Sequence, residues 1–191
     1  MKIMITGGLG FIGSHLAQKF ENEGHQLIIL TKSFSKKKNI RKTPKIKIEK
    51  TDITNFKKLG HSIDKHKPQL IIHLAGQTSH SKSFENPFVD IDSNSKSTLF
   101  ILEKIRKMKN PCSFILGSTF IVIGKPKKLP VDETTMCNPT TIYGTNRLSS
   151  EFINTKKIIN LESLIIGKNT PRKTTQGIAL NSSSDIFDFL K

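Results

Sequence analysis

The stretch "KIMITGGLGFIGS", residues 2–14, constrains this chain more than any other. "KIMIT" (2–6) reads as a buried strand, and "FIGSHLAQKFENEG" (11–24) as an amphipathic helix. Between them run two overlapping patterns, Gly7-x-x-Gly10-x-x-Gly13 and Gly8-x-Gly10-x-x-Gly13. Glycine suits a turn this tight because a side chain there would collide with an approaching pyrophosphate. The helix that follows offers free N–H groups and a positive dipole end to that anion. A merely structural turn is the competing reading, but the position at a first strand-to-helix junction is the context in which the pattern carries meaning.

The same alternation continues. "QLIIL" (26–30), "IKIEKTDIT" (46–54), "QLIIHLA" (69–75), "SFILGS" (113–118) and "LESLIIG" (161–167) read as strands. "NFKKLGHSIDKHK" (55–67), "DSNSKSTLFILEKIRKMK" (92–109) and a stretch beginning near Tyr143 read as helices. Continuous apolar strands separated by helices predict a doubly wound parallel α/β sheet covered on both faces. Hydrophobic residues at 35% and charged residues at 24% describe a soluble globular chain, not a disordered one. No apolar run is long enough to span a bilayer, and the N-terminus lacks the parts of a signal peptide. Cys112 and Cys137 show neither metal-ligand spacing nor a disulfide framework, so the expected setting is the cytoplasm and no metal is expected.

The charge balance is uneven, 31 Lys+Arg against 15 Asp+Glu. A field of that sign attracts nucleic acid, anionic membrane or phosphorylated small molecules. The densest cluster, "KSFSKKKNIRKTPKIK" (32–47), carries no RNA-binding signature and no interleaved aromatics, so it reads as a solvated loop beside a phosphate.

Six pieces in order carry a family resemblance: "TGGLGFIGS", "TDIT" (51–54), "IIHLAGQ" (71–77), "SFENPFVDIDSNSKSTL" (83–99), "FILGSTFIVIGKPKKLPVDE" (114–133) and "PTTIYGTNRLSSEF" (139–152). Over residues 1 to about 170 the chain resembles the extended short-chain dehydrogenase/reductases, the NAD-dependent epimerase/dehydratase group acting on nucleotide sugars. The resemblance implies a Rossmann-type domain over 1–168 and, over 169–191, a remnant of the substrate-binding region. It implies cofactor contacts at Gly7, Gly10, Phe11, Ile12, Gly13, Thr31, Lys32, Asp52, Ile53, Leu74, Ala75 and Gly76. Gln77, Thr78, Ser118 and Thr119 would face the sugar, as would Ser79 and His80, with His80 read as an exposed loop residue. Asn94, Thr119 and Tyr143 fall on the family's catalytic positions, and Arg147 stands where the family places lysine.

In that family a tyrosine phenolate takes a proton from a sugar hydroxyl while hydride passes to the nicotinamide. A cation one helical turn away favours the phenolate, and arginine supplies that charge as a planar fork that cannot deprotonate. Tyr143 and Arg147 are thus expected to form an altered but usable pair, contacting cofactor as well as substrate. Phe120-Ile121 follow Thr119, where 4,6-dehydratases of the family carry acids, which points to epimerisation or keto-reduction instead of dehydration. The second strand ends in Leu30-Thr31-Lys32 with no carboxylate for the adenosine ribose, which favours NADP over NAD.

"NTPR" (169–172) resembles a compressed remnant of the motif after the sixth strand, and one short helical stretch is expected before the chain ends. The alternative function is a noncatalytic or partner-dependent dinucleotide-binding protein. Leu99, Phe100, Leu102, Ile105, Phe152 and Ile153 exceed what one sheet face needs, and the equivalent helices of related proteins pair, so a homodimer is expected.

Overall fold

The structure, a computed structural model, describes residues 1–132, 134–157, 163–166 and 177–180. Its strands are β1 (Lys2–Thr6), β2 (Gln26–Thr31), β3 (Ile46–Lys50), β4 (Leu70–His73), β5 (Ser113–Gly117), β6 (Ser163–Ile166) and β7 (Gly177–Leu180). All neighbours pair in parallel, in the order β3-β2-β1-β4-β5-β6-β7. The order reverses between β1 and β4, and the crevice outside the carboxyl ends of strands at such a switch point is where open α/β sheets bind ligands.

Successive strand residues point to opposite faces, so each apolar strand feeds two cores. Ile3, Ile5, Leu27, Ile29, Leu70, Ile72 and Ile115 join Leu16, Ala17 and Phe20 of α1 (Phe11–Asn22). Met4, Ile28, Leu30, Ile71, Phe114 and Leu116 face Leu59 and Ile63 of α2 (Phe56–His66), and Ile101, Leu102 and Ile105 of a later helix. Burial on both faces is why these strands are continuously apolar. The doubly wound parallel architecture is as the sequence indicates.

Between β4 and β5 the helical content exceeds the sequence reading. Helix α3 (His80–Glu85) occupies the stretch read as a loop, so His80 opens a helix, though it is exposed as expected. The helix expected over 92–109 starts instead at Pro87: α4 (Pro87–Ile91) leads through one π-helical turn, Asp92–Lys96, into α5 (Ser97–Arg106). The start is set by Asn86, whose side chain accepts the Val89 N–H at 3.1 Å, with Pro87 in the first turn, where its missing N–H is not needed. Helix α6 (Ile142–Lys157) follows a long connection. Strand β7 is an addition to the sequence reading, while "NTPR" and the chain beyond Leu180 lie outside the described residues.

A buried polar relay joins β1, β4 and the π turn. His73 Nδ1 lies 2.7 Å from Thr6 Oγ1, and His73 Nε2 lies 3.1 Å from Ser97 Oγ. Thr6 Oγ1 also accepts the Ala75 N–H at 3.1 Å, and Ser97 Oγ donates to Ser93 O at 2.8 Å. One arrangement satisfies every partner: neutral His73 protonated on Nε2, donating to Ser97 and accepting from Thr6. Burial, and secondarily the Arg147 charge, hold the His73 pKa down to about 3 against an ordinary 6.5. The unfolded chain therefore binds a proton that the fold refuses. This contribution to stability is complete above pH 6.5 and is lost as pH falls toward 3. Denaturant unfolding of His73→Gln across that range should show a flatter loss of stability with acid than the parent, and identical slopes would refute the relay's role.

Candidate functional site

The site begins at the turn between β1 and α1. Gly7 has φ +69°, and a Cβ there would stand 3.0 Å from the Ala75 nitrogen. A Cβ at Gly13 would stand 2.6 Å from the Gly8 Cα, so contact demands both glycines, and conformation demands Gly7 as well. The first turn of α1 has no side-chain cap and no acidic residue. Its N–H groups thus face outward with a positive dipole end, as an anion requires. Phe11 is 80% and Ile12 52% exposed at the same helix end. The basic connection is tied to this turn: Asn39 Nδ2 donates to Leu9 O at 3.0 Å, and Ile40 is buried in the α1 core.

At the ends of β2 and β3, Lys32 Nζ lies 3.0 Å from Asp52 Oδ2. Burial works to raise the Asp52 pKa, but hydrogen bonds from Thr54 and the Lys32 ammonium outweigh it and hold it below the usual range. A carboxylate missing from the end of β2 in the sequence is thus supplied from the end of β3. Thr31 Oγ1 donates to Ser33 O at 2.8 Å, and Ile53 is buried in the second core.

Beyond β4, Leu74 and Ala75 run beside the glycine turn, with Leu74 N donating to Thr6 O at 3.2 Å. Gly76 then meets the next group of side chains. A Cβ at Gly76 would stand 2.5 Å from Asn94 Oδ1 and 3.2 Å from Arg147 Nη1. Asn94, fully buried in the π turn, donates from Nδ2 to Gln77 O at 3.2 Å and accepts from Arg147 Nη1 at 3.3 Å. Hydroxyls take up carbonyls in and just before the π turn: Ser93 donates to Val89 O at 2.7 Å and Thr98 to Asn94 O at 2.8 Å.

Helix α6 brings Tyr143, 6% exposed, and Arg147, 5% exposed, to the same place. Burial lowers the Arg147 pKa, opposed by Tyr143, Glu151 and Asp90 in that order, and its Nε has no hydrogen-bond partner. The His80 ring lies 5.5 Å from that of Tyr143. Thr119 caps a 3-10 turn, Phe120–Ile123, that leans on the start of α6, with a Gly144 Cβ falling 3.1 Å from Ile121 O. Among the described residues no hydrogen bond joins Thr119 or Arg147 to Tyr143. Thr78 is exposed, and Ser118 donates to Glu151 Oε1.

The sequence reading missed a second layer. The face of α6 that turns inward is Tyr143, Asn146, Arg147, Ser150, Glu151 and Asn154, almost entirely polar yet buried. Asp90, fully buried, accepts from Gln77 Nε2 at 2.8 Å and Asn146 Nδ2 at 2.6 Å. The available signal was the spacing of 3 and 4 along α6, filled by polar residues where a core-facing helix has apolar ones. Among the described residues, no group of His, Cys, Asp or Glu could hold a metal ion, and no helix is long and apolar enough to cross a membrane.

A family model described as GDP-mannose 4,6 dehydratase matches residues 4–162. The chain is 36% identical over 149 residues to a Methanocaldococcus jannaschii protein provisionally named UDP-glucose 4-epimerase, covering 78% of this chain and 48% of that one. It is 32% identical over 139 residues to the CDP-paratose 2-epimerase of Salmonella typhi, covering 70% and 41%. The structure of the Thermotoga maritima UDP-glucose 4-epimerase with UDP-glucose superposes with a TM-score of 0.77 at 28% identity, covering 94% of this chain and 60% of that one. The chain thus spans about half the length of the curated relatives it matches.

Gly76 needs no left-handed backbone, so its requirement is one of space alone. Gly76→Ala should drive Asn94 off Arg147 and cost about 1–3 kcal/mol, the usual penalty for overpacking. Urea unfolding measures it, and an unchanged midpoint would show that Asn94 yields freely.

Proposed function

The chain belongs to the extended short-chain dehydrogenase/reductase family of nucleotide-sugar epimerases and dehydratases, and from that premise we propose that it is an NAD(P)-dependent oxidoreductase of the epimerase type acting on a nucleotide sugar. The observation that carries the reading is the meeting of Gly76, Asn94, Tyr143 and Arg147 beside an uncapped helix terminus at the switch point of the sheet.

The residues present fit a dinucleotide. Gly7 and Gly13 let the turn close tightly on Ala75 and on Gly8, and the first turn of α1, from Phe11 and Ile12, supplies N–H donors to a diphosphate. Leu74, Ala75 and Gly76 form the opposite wall. When bound, the nicotinamide supplies a hydride acceptor or donor. Thr31, Lys32, Asp52 and Ile53 sit at the adenosine end in this reading. The preference for NADP rests on Lys32, whose ammonium already engages Asp52, so a 2′-phosphate has to compete with that carboxylate.

In the proposed chemistry Tyr143 exchanges a proton with a sugar hydroxyl, and Thr119 holds the same oxygen. Arg147 supplies the cation of the pair as a planar fork in place of an ammonium. Gln77, Thr78 and Ser118 line the sugar side, Ser118 with its hydroxyl already committed to Glu151. Phe120 and Ile121 offer no carboxyl after Thr119, so epimerisation or keto-reduction is favoured over the elimination for which the matching family model is named. The buried Cys112 thiol, pushed up to about 12, suits the cytoplasmic setting expected.

Incubation with UDP-, CDP-, GDP- and dTDP-sugars and either dinucleotide should interconvert at least one sugar, with Tyr143→Phe slower by about 10²–10⁴. Absence of turnover, or turnover indifferent to that substitution, removes the proposal. The second reading, a noncatalytic or partner-dependent dinucleotide binder, is favoured by Arg147 standing where the family places lysine and predicts saturable binding without turnover. We also propose a homodimer through α5 and α6. Leu102 and Ile105 are spent in the chain's own core, Ile153 packs against it and Phe100 stacks on Phe56, while Leu99 is half-buried and Phe152 is 55% exposed. Gel filtration at micromolar concentration should give a dimer, and a monomer defeats it.

A further inference from the structure

We propose that Asp90 is the positioning residue of this site, clamping the loop after β4 to the helix that carries Tyr143 and Arg147. The inference rests on the reading of those two residues as the reacting pair. Asp90 is fully buried in α4, between the two elements. Its two oxygens are divided between them, Oδ2 to Gln77 Nε2 at 2.8 Å and Oδ1 to Asn146 Nδ2 at 2.6 Å. Asn146 adjoins Arg147 in α6, and Gln77 adjoins Gly76. Gln77 is held a second time through its backbone oxygen, which accepts from Asn94 at 3.2 Å. The Asn94 amide in turn accepts from Arg147 at 3.3 Å, so the clamp closes into a ring.

Burying a carboxylate completely is costly unless hydrogen bonds and a counter-charge compensate it. Asp90 has both, since Arg147 is buried alongside and Asp90 is one of the groups that uphold the guanidinium's charge. A neutral amide of the same shape keeps one hydrogen bond and turns the other into donor against donor. Exchanging the partners, with the amide at 90 and the carboxylate at 146, restores both bonds and keeps one negative charge beside Arg147.

The chain has a single tyrosine and no tryptophan, so the near-ultraviolet tyrosinate band reports Tyr143 alone. The groups that face it are Arg147 and the His80 ring, and Arg147 is itself faced by Glu151, Asp90 and His73. In Asp90→Asn the tyrosinate band should shift away from the parent's, because Arg147 loses a counter-charge and α6 loses its tie to Asp90. A merely loosened fold would show instead in the circular dichroism spectrum. Calorimetric titration with NAD and NADP should show affinity about ten-fold weaker for whichever the parent binds, in a variant still folded by circular dichroism. Asp90→Asn with Asn146→Asp should return both readouts toward the parent.

A folded Asp90→Asn with the parent's tyrosinate curve overturns the proposal. If that variant does not fold, the double variant decides: folded with a near-parental curve supports the clamp, and unfolded despite restored bonds overturns it. A parent that binds neither dinucleotide defeats the cofactor reading alone, and the tyrosinate comparison still judges Asp90.

Discussion

The approach of two backbones, 3.0 Å between where a Gly7 Cβ would sit and the Ala75 nitrogen, governs the rest of this structure. It lets the first strand-to-helix turn lie against the segment leaving β4, which puts an uncapped helix end beside the Gly76 corner. Thr6 secures it by accepting the Ala75 N–H while engaging His73, which is in turn braced by Ser97 of α5. A polar relay is used where an apolar contact would not fix the height of one turn against the other. Its members have the donors and acceptors to satisfy one another fully, the condition under which a buried network specifies geometry.

The same device recurs along α6. Globular helices bury apolar stripes, but here the buried stripe carries a guanidinium, two amides, a carboxylate and hydroxyls. Such a face contributes less to stability than hydrocarbon of equal volume. Its return is a fixed arrangement of charge: Arg147 beside Tyr143, with Asp90 and Glu151 as counterweights. The apolar work of the domain is done elsewhere, by strands that feed two cores and by α1, α2 and α5 that cover them.

Much of this was legible in the chain itself. The strands announce themselves because burial on both faces requires unbroken apolar runs, and the glycines because their spacing has few other uses. Helices α3 and α4 were harder: α3 is only six residues long, and the Asn86-Pro87 start of α4 is a two-residue signal easily passed over. The pairing of Lys32 with Asp52 could not be read locally, since it depends on β2 and β3 ending side by side. Thr119, Tyr143 and Asn94 are candidates by resemblance. Asp90 and Asn146 were not, because their meaning lies in each other, 56 positions apart.

A helix seated on hydrocarbon can creep along its neighbour, trading one methyl for the next at little cost. Helix α6 has no such freedom. A slip of one turn, about 5.4 Å, would strip Asn146 from Asp90 and Glu151 from Ser118 together, leaving several charges and amides stranded in a dry interior. The helix therefore behaves as a key with a single notch, and the position of its phenol in the crevice is quantised.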